Sequence, residues 1–447
     1  MRTYESTAIG IPEILLPKAG IDLKKWAVIA CDQFTSEPEY WHRVEELVGN
    51  EPSTLNLIYP EVYLGEKDPE ARISRIRKHM NRYLEEGVFE KVEGLIYVER
   101  HTGQHTRKGL MACLDLDRYD FRKGSSSLIR ASEGTILARI PPRVKIREGA
   151  PLEVPHIMVL IDDPKNTVIG PLTQEKERIE KLYDFDLMME SGNLSGYRVN
   201  DQSLEEGILQ SLEALADPEA FTKKYELSPG TPVLLFAMGD GNHSLATAKT
   251  IWDKTKENAR DEASISNSSL RYALVELINL HDEALIFEPI HRVLFDVASG
   301  RNIMDEMRQF YPGRCRILKC SNVEEMTEAI DSQKGSCHKI GIITPDGFGI
   351  SEVTNPDSNL PVGTLQNFLD IFLEDSGARE IDYVHGKETA IQLGKERGST
   401  GFYLPAMNKH DLFKTVILDG ALPRKTFSMG EAWEKRFYME ARRLSSV

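Results

Sequence analysis

The segment Val233-Leu234-Leu235-Phe236-Ala237-Met238-Gly239-Asp240-Gly241-Asn242-His243-Ser244 changes character at its midpoint. Residues 233–238 form an unbroken apolar run of strand length, as in a strand covered on both faces. Two glycines interrupt it. Over 244–256, Leu245, Ala248, Ile251 and Trp252 then recur at helical spacing. Strand, tight turn and amphipathic helix in that order predict an α/β element. Gly239 and Gly241 permit a sharp bend and close approach of a ligand to the backbone. Asn242 or Ser244 can cap the helix through a side-chain oxygen. A helix start also offers N–H groups and the positive end of the dipole, which suits a phosphate. Asp240 and His243 would share the rim, a carboxylate for proton abstraction or metal binding beside an imidazole for proton transfer. Turn chemistry alone explains Asp-Gly and Gly-Asn. It does not explain why an acid and an imidazole flank them at the end of a strand.

Outward from this turn, short apolar runs alternate with amphipathic stretches. Strands are expected at 26–30, 95–98, 110–114, 156–161, 233–238, 272–278, 340–343 and 402–404. Helices are expected at 69–86, 204–216, 244–256, 323–331, 365–374, 388–396 and 430–443. The alternation predicts a mixed α/β (α+β) protein, a central mixed sheet flanked by helices. Breaks are read at 228–232, 258–269 and 354–363 from their Pro, Gly, Ser and Asn content. They suggest two lobes, 1–300 carrying the Asp240 turn and a smaller 301–447, with strands that the lobes could share.

At 447 residues, the chain exceeds what one compact core usually holds. No apolar run is long enough to span a bilayer. The net charge of −15 disfavours broad nucleic-acid binding, though a local pocket can still hold an anion. Five cysteines without a C-x-x-C pair read as free thiols in a reducing compartment. Glu5, Pro12, Glu13 and Pro17 interrupt the first residues, which carry no secretory signature, so a cytoplasmic location is expected. His101 and His105 flank Gly103, which favours a hairpin loop over a metal site. His156 opens an apolar strand and reads as a satisfied core histidine. No Walker loop, G-x-S-x-G elbow, H-E-x-x-H pair or dinucleotide fingerprint occurs.

Several separated segments carry a resemblance. They are Trp26-Ala27-Val28-Ile29-Ala30-Cys31-Asp32-Gln33-Phe34-Thr35-Ser36, Glu37-Pro38-Glu39-Tyr40-Trp41, Arg130-Ala131-Ser132-Glu133-Gly134-Thr135, the Asp240 turn, Glu288-Pro289-Ile290-His291-Arg292-Val293, Tyr383-Val384-His385-Gly386 and Pro423-Arg424-Lys425-Thr426. Together they resemble the family catalogued as domain of unknown function 1015, over nearly the whole chain. A second, local resemblance is to the ParB/sulfiredoxin-like superfamily. Its members place Asp-Gly-His-His-Arg at a helix start, bind nucleotide phosphates there, and include free serine kinases. Asp240, Gly241 and His243 match that pattern, Asn242 replaces a His, and Ser244 stands where the Arg would be. The Arg fork grips phosphate in a way Ser cannot copy.

These resemblances imply further roles. Asp32, Gln33 and Thr35 would line a substrate site, where residues alone fit an ordinary loop equally well. Arg130 and Thr135 would contact phosphate, and Glu133 would serve as base or Mg2+ ligand, as Asp240 also could. His291 and Arg292 could supply the cation missing at Ser244, although a buried His and a surface Arg fit the sequence alone slightly better; Lys425 is a further cation candidate, for which a solvated lysine is the better fit. The implied activity is phosphoryl transfer between ATP or ADP, with Mg2+, and a small hydroxylated metabolite such as free serine. A phosphohydrolase of a phosphoserine-like ester and a non-catalytic nucleotide or metabolite sensor are the alternatives. No nucleic-acid or membrane partner is expected.

Overall fold

The computed structural model describes residues 1–444 except 104, 262–264, 266, 267, 334 and 336. The chain forms two compact units. One comprises Met1–Leu285 with Gly430–Val447, the other Ile286–Met429. The single cut expected near 300 therefore falls elsewhere, because Phe287–Phe295 is laid down inside the second unit's sheet and the chain's last stretch returns to the first. Of the polar break read at 258–269, residues 262–264, 266 and 267 lie outside the described residues.

The protein is a mixed α/β fold. The first unit is built on a sheet ordered Glu180–Asp186, Asn193–Val199, Leu95–His101, Thr106–Asp115, Tyr272–Asn279, Met158–Ile161, Phe236–Asp240, Ile129–Arg130, Tyr119–Asp120. Most neighbours are antiparallel, but Met158–Ile161 runs parallel to Tyr272–Asn279, and Ile129–Arg130 runs parallel to both Phe236–Ala237 and Tyr119–Asp120. Every residue of Tyr272–Asn279 and Met158–Ile161 is buried, the apolar ones as a doubly covered strand demands and Glu276 and Asn279 with polar partners. Residues 101–106 join two antiparallel strands as a hairpin, with His101 Nδ1 2.8 Å from Thr106 Oγ1; Gln104 lies outside the described residues.

The strand expected at 233–238 is displaced to Phe236–Asp240, so that Gly239 and Asp240 lie within its end. Arg130 causes part of this shift. Its guanidinium donates to the carbonyls of Pro232 and Val233 at 2.9 and 3.2 Å, and the Leu235 and Phe236 N–H groups both turn to Leu128 O.

Two expectations are corrected together. Residues 26–30 do not form a laddered strand, and 430–443 do not form a helix. Asp22 caps a short helix, Leu23–Trp26, after which the chain runs extended. It meets the C-terminal segment through an isolated Ile29–Phe437 bridge, Ala30 N–H to Arg436 O (2.9 Å) and Tyr438 N–H to Val28 O (2.8 Å). That segment has one short turn, Ala432–Glu434. It then stays extended, pairing Arg442–Arg443 with Leu152–Glu153. A helix there would leave one face in water, whereas residues 435–442 are buried on all sides.

The second unit's sheet is ordered Cys315–Cys320, Gly347–Val353, His338–Thr344, Thr400–Tyr403, Phe287–Phe295, Glu380–His385, all antiparallel. Helices Pro361–Glu374 and Val323–Asp331 bury their apolar faces. Among the described residues, no helix is long and apolar enough to cross a membrane. All five cysteines are free thiols.

Candidate functional site

Where Phe236–Asp240 leaves the sheet of the first unit, Asp240 sits opposite Met158 on the neighbouring strand. Gly241 follows with φ +76° and becomes the N-cap of the helix Asn242–Asn258. A Cβ at Gly241 would lie 3.0 Å from Ile157 Cα and 3.5 Å from His156 Cδ2, so only glycine fits both the angle and the space. Capping by Asn242 or Ser244, expected from the sequence, is not observed. Both lie inside the first turn, and the N-cap residue has no side chain with which to close it.

The Asp240 carboxylate is held from two sides. Gly241 N–H donates to Oδ1 at 2.8 Å, and Lys435 Nζ stands 3.2 Å from Oδ2. Burial opposes ionisation. The Lys435 ammonium, the charge His156 carries when protonated and the Gly241 N–H outweigh it and keep the carboxyl below its ordinary range.

Lys435 is delivered by the extended C-terminal segment, which is fastened on either side of it. Arg100 and Arg107 donate to the carbonyls of Trp433 and Glu434, each at 3.0 Å. Arg436, fully enclosed, pairs with the carboxylates of Glu276 and Glu440.

His156 lies beside the turn. Its Nδ1 is 2.7 Å from Tyr438 Oη, and its Nε2 is 3.8 Å from Asp32 Oδ2. Tyr438 Oη also accepts the Cys31 N–H at 3.1 Å, and Gln33 Nε2 donates to Asp32 Oδ1 at 3.0 Å. Asp32, His156, Asp240 and Lys435 thus form one chain of neighbours drawn from four segments of the first unit.

The 129–136 segment reaches the same turn from the other side. Ile136 N–H donates to His243 Nε2 at 3.3 Å, which makes that nitrogen an acceptor. Thr135 Oγ1 and Asn242 Oδ1, on residues adjoining this pair, are shut off from solvent without a protein partner. Enclosed polar atoms of this kind ask for a ligand or water. Glu133 is partly buried nearby in sequence, Gly239 and Ser244 are partly buried, and Thr35 is exposed.

Other selected residues go elsewhere. Arg130 is buried, bound to the carbonyls of Ser127, Pro232 and Val233, and pushed down to about 10 by burial. It holds the approach to the strand, which leaves its fork committed to backbone. His291 and Arg292 are buried mid-strand in the second unit. His291 Nδ1 accepts the Leu404 N–H at 3.2 Å, its ring stacks on Tyr403 at 4.7 Å, and burial takes its imidazole down to about 4. Arg292 donates to the carbonyls of Ile290 and Arg424 and lies 5.1 Å over the Tyr383 ring.

Sequence reasoning took His156 as a satisfied core histidine, which its burial and its contact with Tyr438 bear out without showing its place beside Asp240, and it passed over Lys435 and Tyr438. The signal for the last two was present: Phe437, Met439 and Ala441 alternate with Arg436, Tyr438, Glu440 and Arg442, a strand period.

Mg2+ does not fit as a resident group. Among the described residues, no cluster of three or more His, Cys, Asp or Glu side chains could hold a metal, and Lys435 already faces Asp240. A groove of about 490 Å3 elsewhere on the first unit contains none of the selected residues. Its Lys176–Glu99 and Lys181–Asp184 pairs close at 3.1 and 2.9 Å, leaving it no reactive constellation.

A family model described as "Protein of unknown function (DUF1015)" matches residues 15–372. The chain belongs to the DUF1015 family. That match spans the Asp32, His156 and Asp240 segments of this DUF1015 protein but stops short of Lys435 and Tyr438. A comparison with curated proteins returned no match. Among solved structures, a free serine kinase mutant in complex with AMP is similar at TM-score 0.39 and 8% identity, covering 74% of this chain and 90% of that one. A conserved hypothetical protein from Pyrococcus furiosus is similar at TM-score 0.35 and 10% identity, with 74% and 90% covered. SbnI with a C-terminal truncation, from Staphylococcus aureus, is similar at TM-score 0.33 and 9% identity, with 76% and 85% covered.

Proposed function

We propose that this DUF1015 protein is a cytoplasmic phosphotransferase that moves a phosphoryl group from ATP or ADP to the hydroxyl of a small metabolite, with free serine the leading acceptor. The observation that carries the reading is the Asp240–Lys435 pair at a glycine-capped helix start, with the Asp32–His156 pair beside it. The helix N-terminus and Lys435 receive the phosphate, and the enclosed Thr135 Oγ1 and Asn242 Oδ1 take part in holding the nucleotide. Asp240 is fixed by Lys435 and Gly241, so it organises charge. Asp32, at 27% side-chain exposure, is open enough to take the acceptor's proton. In the step, the hydroxyl proton passes to Asp32 and the hydroxyl oxygen bonds to the terminal phosphorus. The bond from that phosphorus to the bridging oxygen breaks, and the electron pair leaves with ADP or AMP. Positioning and charge stabilisation supply most of such catalysis. Mg2+ enters as the nucleotide's companion, and no step is assigned to it.

The test is incubation of the purified full chain with Mg2+, ATP or ADP, and serine, reading phosphoserine by mass spectrometry. Product that disappears in Asp240→Asn supports the proposal. Phosphate release from phosphoserine without nucleotide would instead favour a hydrolase, the reading suited to a site with Ser244 in place of an Arg fork. Nucleotide binding that raises the melting temperature without turnover would favour a sensor.

A further inference from the structure

Tyr438 has one hydroxyl proton and two neighbours that compete for it. Its oxygen already accepts the Cys31 N–H at 3.1 Å and lies 2.7 Å from His156 Nδ1. The Cys31 thiol is the other neighbour, but sulfur is a weak acceptor and an imidazole nitrogen a strong one. Burial pushes both the Cys31 thiol and the Tyr438 phenol up, so both keep their protons. In the neutral ring, the phenol proton then goes to Nδ1, which leaves the ring hydrogen of His156 on Nε2. That hydrogen faces Asp32 Oδ2 across 3.8 Å, too far for a direct hydrogen bond and suited to one interposed oxygen. The His156 ring has little freedom to turn away, since its side chain is 9% exposed and packs against the Gly241 backbone.

A fixed donor facing a carboxylate selects its occupant. The occupant must accept from Nε2–H and donate to Asp32. A hydroxyl does both, an ammonium has no lone pair to accept with, and a carboxylate has no proton to donate. We propose that His156 and Asp32 form the seat for the acceptor's hydroxyl, with Tyr438 as the positioning residue that sets the His156 tautomer. The inference rests on the phosphotransferase reading only for what happens to that hydroxyl next. Asp240 with Lys435 on one side, and Cys31 with Tyr438 on the other, are the further ionisable groups facing the ring.

Histidine nitrogen–proton correlation spectra of the full-length protein test the seat without requiring turnover. His156 is assigned by the signal lost in His156→Asn. The expected result is an Nε2-protonated tautomer in the wild type, unchanged in Cys31→Ala and converted toward Nδ1–H in Tyr438→Phe. An Nδ1-protonated wild type overturns the proposal, and no variant is needed to see it. Calorimetric titration with serine, alanine and 2,3-diaminopropionate forms the second arm. Serine should bind at least tenfold more tightly than the other two, and this preference should shrink in Tyr438→Phe. Serine failing to exceed alanine, whether both bind or neither does, overturns the hydroxyl seat. A correct tautomer and a serine preference without phosphoserine formation would leave the seat standing and remove the phosphotransferase reading alone.

Discussion

Two places in this molecule that bring an imidazole and a cation together are built in opposite ways. At the Asp240 corner, the groups stand where a strand leaves its sheet, so a carboxylate, an ammonium and a histidine meet beside an open turn. In the second unit, His291 and Arg292 occupy the middle of a strand with partners on both edges, and the same residue types become core material. Residue type is the same in both places. What separates them is whether the ladder ends there, because mid-strand side chains are covered by the next layer while strand-end side chains can be left facing a cleft.

The largest effect expected concerns what fastens the corner. Arg436→Met would leave Glu440 buried without its cation and Glu276 with only the more distant Arg107 at 3.7 Å, so urea titration should report a loss of about 3–5 kcal/mol. A loss under 1 kcal/mol would mean that the C-terminal segment is held by other means.

The next separates the two regions by pH. His291 and His338 ordinarily titrate at 6.5 and are held near 4 by burial. Between these values the unfolded chain binds protons that the folded unit refuses, so stability must fall as pH falls through that window. The expected loss summed over the whole window is about 3 kcal/mol for each imidazole, and His291→Gln should remove its share. Asp240 acts in a lower window. Its carboxyl is held below the ordinary 3.8, so its stabilisation is complete above that pH and vanishes as pH drops through the folded value. Denaturation midpoints measured from pH 7 to 3 should show both phases, and an Asp240→Asn chain should lose only the more acidic one.

Activity should divide the regions in the same way. Asp240→Asn is expected to cut phosphoserine formation about 100-fold. His291→Gln, assayed as folded protein, should stay within about twofold, because a core imidazole acts on stability and leaves the reaction alone. Equal losses in both would erase the distinction. The smallest effect belongs to Thr35→Ala. This side chain is exposed, so the melting curve should shift by no more than about 0.5 kcal/mol.

Local pattern was legible wherever one periodicity fitted a segment. The 69–86 expectation became Pro69–Glu85 because Ile73, Ile76 and Met80 share one face, and 323–331 was found as Val323–Asp331. The C-terminal segment defeated that reading because two periods fit it. Trp433, Phe437 and Ala441 are spaced as on a helix, while Phe437, Met439 and Ala441 alternate as on a strand. Tertiary pairing with residues 28–30 decided for the second. At the corner, Asp240, Gly241 and His243 could be read from the turn itself. Lys435, His156 and Tyr438 could not, since their roles exist only through neighbours some 80 to 400 positions away along the chain.

The last extended stretch also imposes an order on biosynthesis. A ribosome translating this message has already extruded Asp32, His156 and Asp240 long before Lys435 and Tyr438 are polymerised. Until then the Asp240 carboxylate has no ammonium beside it and His156 stands without its phenol. The charges of this corner are therefore matched only once the segment carrying Lys435 and Tyr438 has followed the rest of the first unit out of the ribosome.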